Sequence, residues 1–185
     1  MDIVKNFNEY IDERFFYIVE NTNEIVLHEN KGNPYQVRLR VGRAENKFLI
    51  IQDLEILKTQ YSRFLKKYPN DCDYIILDLL KQTVYYIELK NTNRSNSEFM
   101  EQLRAGAYWL QHLLFCSRCE SVVQDWSFVN VGIRYERKRP SKSKRPAKEN
   151  TTDHKVDLLF LKDVAGEPLI TFRGEEVQLD ALVYV

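Results

Sequence analysis

At 185 residues, with 44% hydrophobic and 29% charged side chains, the chain has the composition of one ordinary globular domain with a single core. No apolar run approaches the roughly 20 residues that cross a bilayer as a helix. The opening MDIVKNFNEY has an acid at once and no apolar core followed by a cleavage site, so a cytoplasmic protein without membrane attachment is expected. Formal net charge is zero, yet residues 137–148 (RKRPSKSKRPAK) hold seven of the 27 basic residues and no acid; the remaining 20 stand against 27 acids. An acidic body carries one basic segment.

The first element is expected over residues 4–19, a helix on which Phe7, Ile11, Phe15 and Ile18 recur near the helical period. EIVLHEN and YQVRLRV read as strands separated by the turn-forming KGNP, and KFLIIQ as a third. From Leu54 to Tyr68 the apolar spacing is helical again until YPND breaks it. Residues 73–78 and 83–90 are two further strands, apolar on both faces. Ile75, Leu77, Val84 and Tyr86 fall on one face, and Tyr74, Ile76, Tyr85 and Ile87 on the other. Strands buried on both sides belong in the middle of a sheet covered by helices.

Ser95 and Glu98 fit a capping box that opens a helix to about Phe115, with Phe99, Leu103, Ala107, Leu110 and Leu114 on one face. WSFVNVGIRYE, KVDLLFLK, PLITFRG and VQLDALVYV complete the strands, with the basic segment as a loop. The pattern is α/β, a mixed sheet flanked by helices in one domain. Three cysteines, an odd number, do not suggest a disulfide framework. Cys116 and Cys119 form a lone C-x-x-C downstream of His112; zinc would need a further ligand from Cys72 or a distant His, and buried reduced thiols are the expectation.

CDYIILDLLKQTVYYIELKN, residues 72–91, sets Asp73, Glu88 and Lys90 into apolar strands. A hairpin centred on Leu80 and Lys81 puts Asp73 opposite Glu88 and Asp71 opposite Lys90; a shifted register would bring Asp71 into the place of Asp73. Two carboxylates about 4 Å apart repel by about 4 kcal/mol at an effective dielectric of 20. Either one acid is protonated or a cation offsets them. Lys90 projects to the same face as Glu88 and offsets part of the repulsion, as it would in a plain buried ion-pair cluster; hard oxygen ligands otherwise suit Mg²⁺ or Mn²⁺. E-x-K occurs four times in the chain, but only at Glu88 does an apolar strand run into the acid, an opposed Asp face it and a helix follow.

These residues resemble the PD-(D/E)xK nuclease superfamily: CDYIILD looks like its Asp strand, VYYIELKN like its E-x-K strand, and SEFMEQLRAGAYWLQHLL like the helix that follows. The resemblance covers about residues 71–116 and implies a restriction-endonuclease-like sandwich and hydrolysis of phosphodiester bonds. It implies that Asp73 and Glu88, with the carbonyl of Leu89, hold Mg²⁺ or Mn²⁺, that Lys90 orients the attacking water, and that Gln102 reaches in from the helix. Many members add a Glu from the first helix; Glu13, Glu20 and Glu24 are the candidates here.

Polyanion attraction would come from Arg137, Lys138, Arg139, Lys142, Lys144, Arg145 and Lys148 of the basic segment, through phosphate contacts and counterion release. Nucleic acid, DNA ahead of RNA, is the expected partner, with self-association or a partner subunit supplying targeting. The alternative is a catalytically silent domain of the same fold that binds nucleic acid or scaffolds a complex.

Overall fold

The computed structural model describes residues 2–30, 34–56, 70–90, 96–135, 159–162 and 168–182. Helix α1 (Ile3–Tyr10) starts where Asp2 caps it, its Oδ1 accepting from the N–H groups of Val4 at 3.0 Å and Lys5 at 3.3 Å. The helix buries Ile3 and Phe7. It is much shorter than expected over 4–19. Asp12 turns the chain by accepting from the N–H and guanidinium of Arg14, and strand β1 (Phe16–Glu20) follows. The run Phe16, Tyr17, Ile18 and Val19 is aromatic and β-branched, and its strand preference with pairing to the sheet overrides the helical spacing.

Strands β2 (Glu24–Glu29), β3 (Tyr35–Arg40) and β4 (Lys47–Gln52) form where expected. So do β5 (Tyr74–Asp78) and β6 (Thr83–Lys90), helix α2 (Asn96–Cys116), and β7 (Ser127–Arg134), β8 (Leu159–Lys162) and β9 (Pro168–Arg173). The last expected strand is cut short: β10 (Glu176–Gln178) gives way to a 3-10 turn at Leu179–Ala181. Asp180 in that turn accepts from the Gly42 N–H at 2.6 Å and pairs with Lys81 at 2.5 Å, which bends the chain off the strand path. Of the helix expected from Leu54 to Tyr68, residues 54–56 are helical and 57–69 lie outside the described residues, as does Ser95 of the capping box.

Two mixed sheets result. The larger has the order β1-β4-β5-β6-β7-β9-β8, with β6, β7 and β9 parallel to one another and the remaining pairs antiparallel. The smaller is β10-β3-β2. The β5–β6 hairpin has the anticipated register, from Tyr74 opposite Ile87 to Asp78 opposite Thr83. Its two faces divide as the alternation required. Ile75, Leu77, Val84 and Tyr86 pack with Phe7 of α1 and with Phe99, Leu103, Leu110 and Leu114 of α2.

Tyr74, Ile76, Tyr85 and Ile87 pack with Ile25, Leu27, Val37, Leu39 and Val177 of the smaller sheet. Thus helices cover one face and, among the described residues, a second sheet covers the other. The two-sided apolar run reports burial but not what does the burying. No helix among the described residues is long and apolar enough to cross a membrane.

Candidate functional site

Because β5 and β6 are antiparallel, the residue before β5 and the last residues of β6 share one end of the sheet. Continuing the register one step past Tyr74–Ile87 brings Asp73 beside Glu88. Asp73 stands outside the ladder, however, and its Oδ2 accepts the backbone N–H of Leu89 at 2.7 Å. Leu89 therefore meets Asp73 through its amide, a contact the sequence did not disclose. Glu88 is fully buried within β6, on the face that α2 covers. Its Oε1 pairs with the Lys90 ammonium, and no hydrogen-bond donor reaches its buried Oε2 among the described residues. Beside it on β7 is Gly132, over which Phe99 packs so closely that a Cβ there would stand 2.9 Å from the ring.

Asp71, Asp73, Lys90 and Gln102 line one cavity of about 290 Å³; Glu88 is not among its lining residues and is joined to it through Lys90. Gln102 is anchored by donating from Nε2 to the carbonyl of Asp71 at 3.3 Å. The expected acid from the first helix is not there. Glu13 lies beyond α1 in an exposed turn. Glu20 pairs with Lys47 at 2.6 Å at the far end of the sheet, and Glu24 pairs with Arg40 at 2.7 Å. The additional acids of the cavity are Glu29 from the end of β2, and Asp53 and Glu55 after β4.

Asp53 is the one nearest the motif by register. The last β4–β5 pair is Gln52–Tyr74, so one further step sets Asp53 beside Asp73. Its φ of 57° is left-handed, a conformation Asp adopts more readily than most residues. The signal was present in the sequence: KFLIIQD is an apolar strand running into an acid, as CDYIILD and VYYIELK are apolar strands carrying acids at their ends.

The concentrated negative charge acts on nearby phenols. Burial, reinforced by Asp73 and Glu29, pushes the Tyr35 hydroxyl well above the usual phenol range. Tyr74 is pushed up to about 12, chiefly by burial, with a hydrogen bond from His28 opposing and the charges of Asp73 and Asp53 adding. Tyr74 ties the two sheets together, its Oη donating to the His28 carbonyl and accepting from the His28 N–H, both at 2.9 Å.

Among the described residues no group of three or more His, Cys, Asp or Glu side chains is gathered as a metal cluster. A divalent ion would therefore depend on few protein ligands and on water or substrate, as Mg²⁺ commonly does. The donors fit that role: they are hard carboxylate oxygens, and Glu88 Oε2 is a buried acceptor that an ion would satisfy. Among the described residues the cysteines are not gathered with His112 into a metal-binding group, and the expected burial of both C-x-x-C thiols does not hold. Cys72 and Cys119 are buried, whereas Cys116 is exposed with its Sγ 3.7 Å from His112 Nε2. The basic residues Arg137 to Lys148 lie outside the described residues. A scan against protein-family models and searches of curated proteins and of solved structures found no match.

Proposed function

We propose that this protein is a metal-dependent nuclease of the PD-(D/E)xK type, with a restriction-endonuclease-like fold, hydrolysing phosphodiester bonds in DNA. The observation that carries the reading is Glu88: a fully buried carboxylate, only one oxygen of which is matched among the described residues, joined through Lys90 to a cavity lined by Asp73, Lys90 and Gln102. Buried charge is costly, and an acid half satisfied within its own protein is suited to a ligand. The order of elements supports the same reading, since β5, β6 and α2 follow one another as the resemblance requires.

Asp73 and Glu88, with the Leu89 carbonyl, would hold Mg²⁺ or Mn²⁺. Such an ion supplies Lewis acidity and a more acidic bound water. Lys90, at the junction of buried Glu88 and the cavity, orients the attacking water and stabilises its deprotonated form. Gln102, held by the Asp71 carbonyl, positions groups at the cavity wall. The basic segment at 137–148 attracts the polyanion, offsetting an acidic body. Targeting is assigned to self-association or to a partner subunit.

The second reading is a catalytically silent domain that binds nucleic acid or scaffolds a complex. It is favoured by the Lys90–Glu88 pair, which partly neutralises the site without any ion. Incubation with plasmid, linear duplex, single strands and RNA, in Mg²⁺, Mn²⁺ or chelator, separates the two. Metal-dependent cleavage lost in Lys90→Ala and Glu88→Gln supports the nuclease. Binding without cleavage in any metal supports the silent domain.

A further inference from the structure

Helix α2 buries Phe99, Leu103, Leu110 and Leu114 in the core, and an amphipathic helix of this kind is polar on its far side. This one is not. Tyr108 is 73% exposed and Phe115 is 64% exposed. The two stand two turns apart on the outer face, with Gln111 and His112 exposed between them. Beyond the helix end, the Arg118 N–H donates to the Phe115 carbonyl at 3.1 Å. The Arg118 guanidinium carbon lies 5.3 Å from the centre of the Tyr10 ring, which fixes it at that end. Phe115, Arg118 and Glu120 line one open depression of about 900 Å³ there. Exposed aromatic rings beside an arginine are the side chains that concentrate in protein interfaces.

The charge at the two ends of this stripe says what covers it. Glu101 is exposed seven residues before Tyr108, and Arg118 is exposed seven residues after Gln111. Acid and base therefore stand equally far from the point midway between Tyr108 and Gln111. A second copy of α2 laid antiparallel about that point meets Glu101 with an arginine and Arg118 with a glutamate, once at each end. In the same register Phe115 comes about 6 Å along the axis from Tyr108 of the second copy, within reach for a pair of rings. Parallel pairing would set like charges together at both ends, and they oppose it. The antiparallel contact is twofold and closed, and it aligns the two helix dipoles favourably.

We infer that the outer face of α2 is a dimer interface on which a second copy of this chain packs antiparallel. Tyr108 and Phe115 form its centre, and Glu101 pairs with Arg118 of the second copy at each end. The interface gives a surface to the self-association assigned above, and it holds whether or not the protein is a nuclease. Sedimentation equilibrium of the full chain, from micromolar to millimolar concentration, tests it. The proteins are wild type, Tyr108→Ser, Phe115→Ser, Glu101→Arg, Arg118→Glu and the double variant that exchanges the two charges. Leu80→Ser is the control, an exposed apolar residue in the β5–β6 turn. Circular dichroism establishes that each protein is folded.

Wild type should dimerise reversibly, and each single variant on the stripe should weaken the dimer about tenfold or more. Leu80→Ser should dimerise as wild type does. The charge exchange should restore most of what either charge variant loses. Glu101 and Arg118 of one chain are about 25 Å apart along the helix, so only a contact between copies can produce that rescue. If Phe115→Ser fails to fold, Tyr108→Ser and the charge exchange carry the test. Wild type that stays monomeric overturns the interface and leaves the stripe to a different protein. A dimer indifferent to Tyr108→Ser, an equal loss in Leu80→Ser, or a charge exchange without rescue also overturns it. A rescued dimer that cleaves no nucleic acid upholds the interface and removes the nuclease, whereas a monomer that cleaves removes only the interface.

Discussion

Lys90 and Glu88 stand two residues apart on the same face of β6, and the Nζ of the first pairs with the Oε1 of the second. The Glu88 side chain is wholly buried and that of Lys90 is 15% exposed, so the pair bridges the sheet interior and the cavity. Removing one partner of such a pair strands a buried charge, whereas removing both need not. Lys90→Ala should therefore lower unfolding free energy by about 3 kcal/mol or more, and Lys90→Met combined with Glu88→Gln should regain most of it. Urea denaturation of the three proteins checks this. Both variants should be inactive as nucleases, so stability and activity part company in the double substitution.

Gly106 of α2 is packed against the residue before Asp73: a Cβ at Gly106 would stand 2.2 Å from Cys72 Sγ. Gly106→Ala must displace Cys72, and such overpacking costs about 1–3 kcal/mol. Cleavage should fall with it, because the shift is passed directly to Asp73. Adding Cys72→Ala removes the sulfur and should restore both melting temperature and rate.

At the opposite end of the hairpin, Asp78 pairs with Arg43 and accepts from the N–H groups of Leu80 at 3.2 Å and Lys81 at 3.0 Å. Asp78 is fully buried, so Arg43→Met should destabilise the protein by about 3 kcal/mol. Because this cluster lies at the other end of β5 from Asp73, the fraction that remains folded should cleave at the wild-type rate. A loss of rate per folded molecule would show that the two ends are coupled.

Alkaline pH should unfold the protein through its tyrosines. Burial raises the phenol groups of Tyr35, Tyr74, Tyr85 and Tyr86, that of Tyr74 to about 12 from an ordinary value near 10. Folding favours the neutral phenol, so this contribution is fully present below pH 10 and is lost as pH rises through 12. Tyrosinate absorbance of these buried groups should thus appear together with loss of folded circular dichroism. Full titration near pH 10 in a folded protein would contradict it.

The hairpin was legible in the sequence because its signal is local. Alternation fixed the two faces of β5 and β6, a short turn fixed their pairing, and Tyr74–Ile87 is the pair that follows. What lies over Tyr74, Ile76 and Ile87 was not legible, since an apolar side chain is buried equally well by a helix or by β2 and β3. The helix expected over 4–19 failed for a related reason. Phe7, Ile11, Phe15 and Ile18 keep a helical interval, but Phe16 to Glu20 find partners on β4, some 30 residues away.

Within the site, Asp73, Lys90 and Gln102 could be placed together because hairpin and following helix are adjacent in the chain. Glu29, Asp53 and Glu55 could not, because they reach the cavity through sheet pairings of long range. The contact between Asp73 and the Leu89 amide depends on how the chain leaves the ladder, which no residue pattern specifies.

The most direct test of the central claim is calorimetric titration of Mn²⁺ into folded wild type, Glu88→Gln and Asp73→Asn. Uptake at a single site by wild type, abolished in both variants while their melting curves remain cooperative, is the expected result. Absence of uptake by wild type, or equal uptake by all three, would mean that the buried Glu88 carboxylate serves Lys90 and the sheet rather than a metal ion.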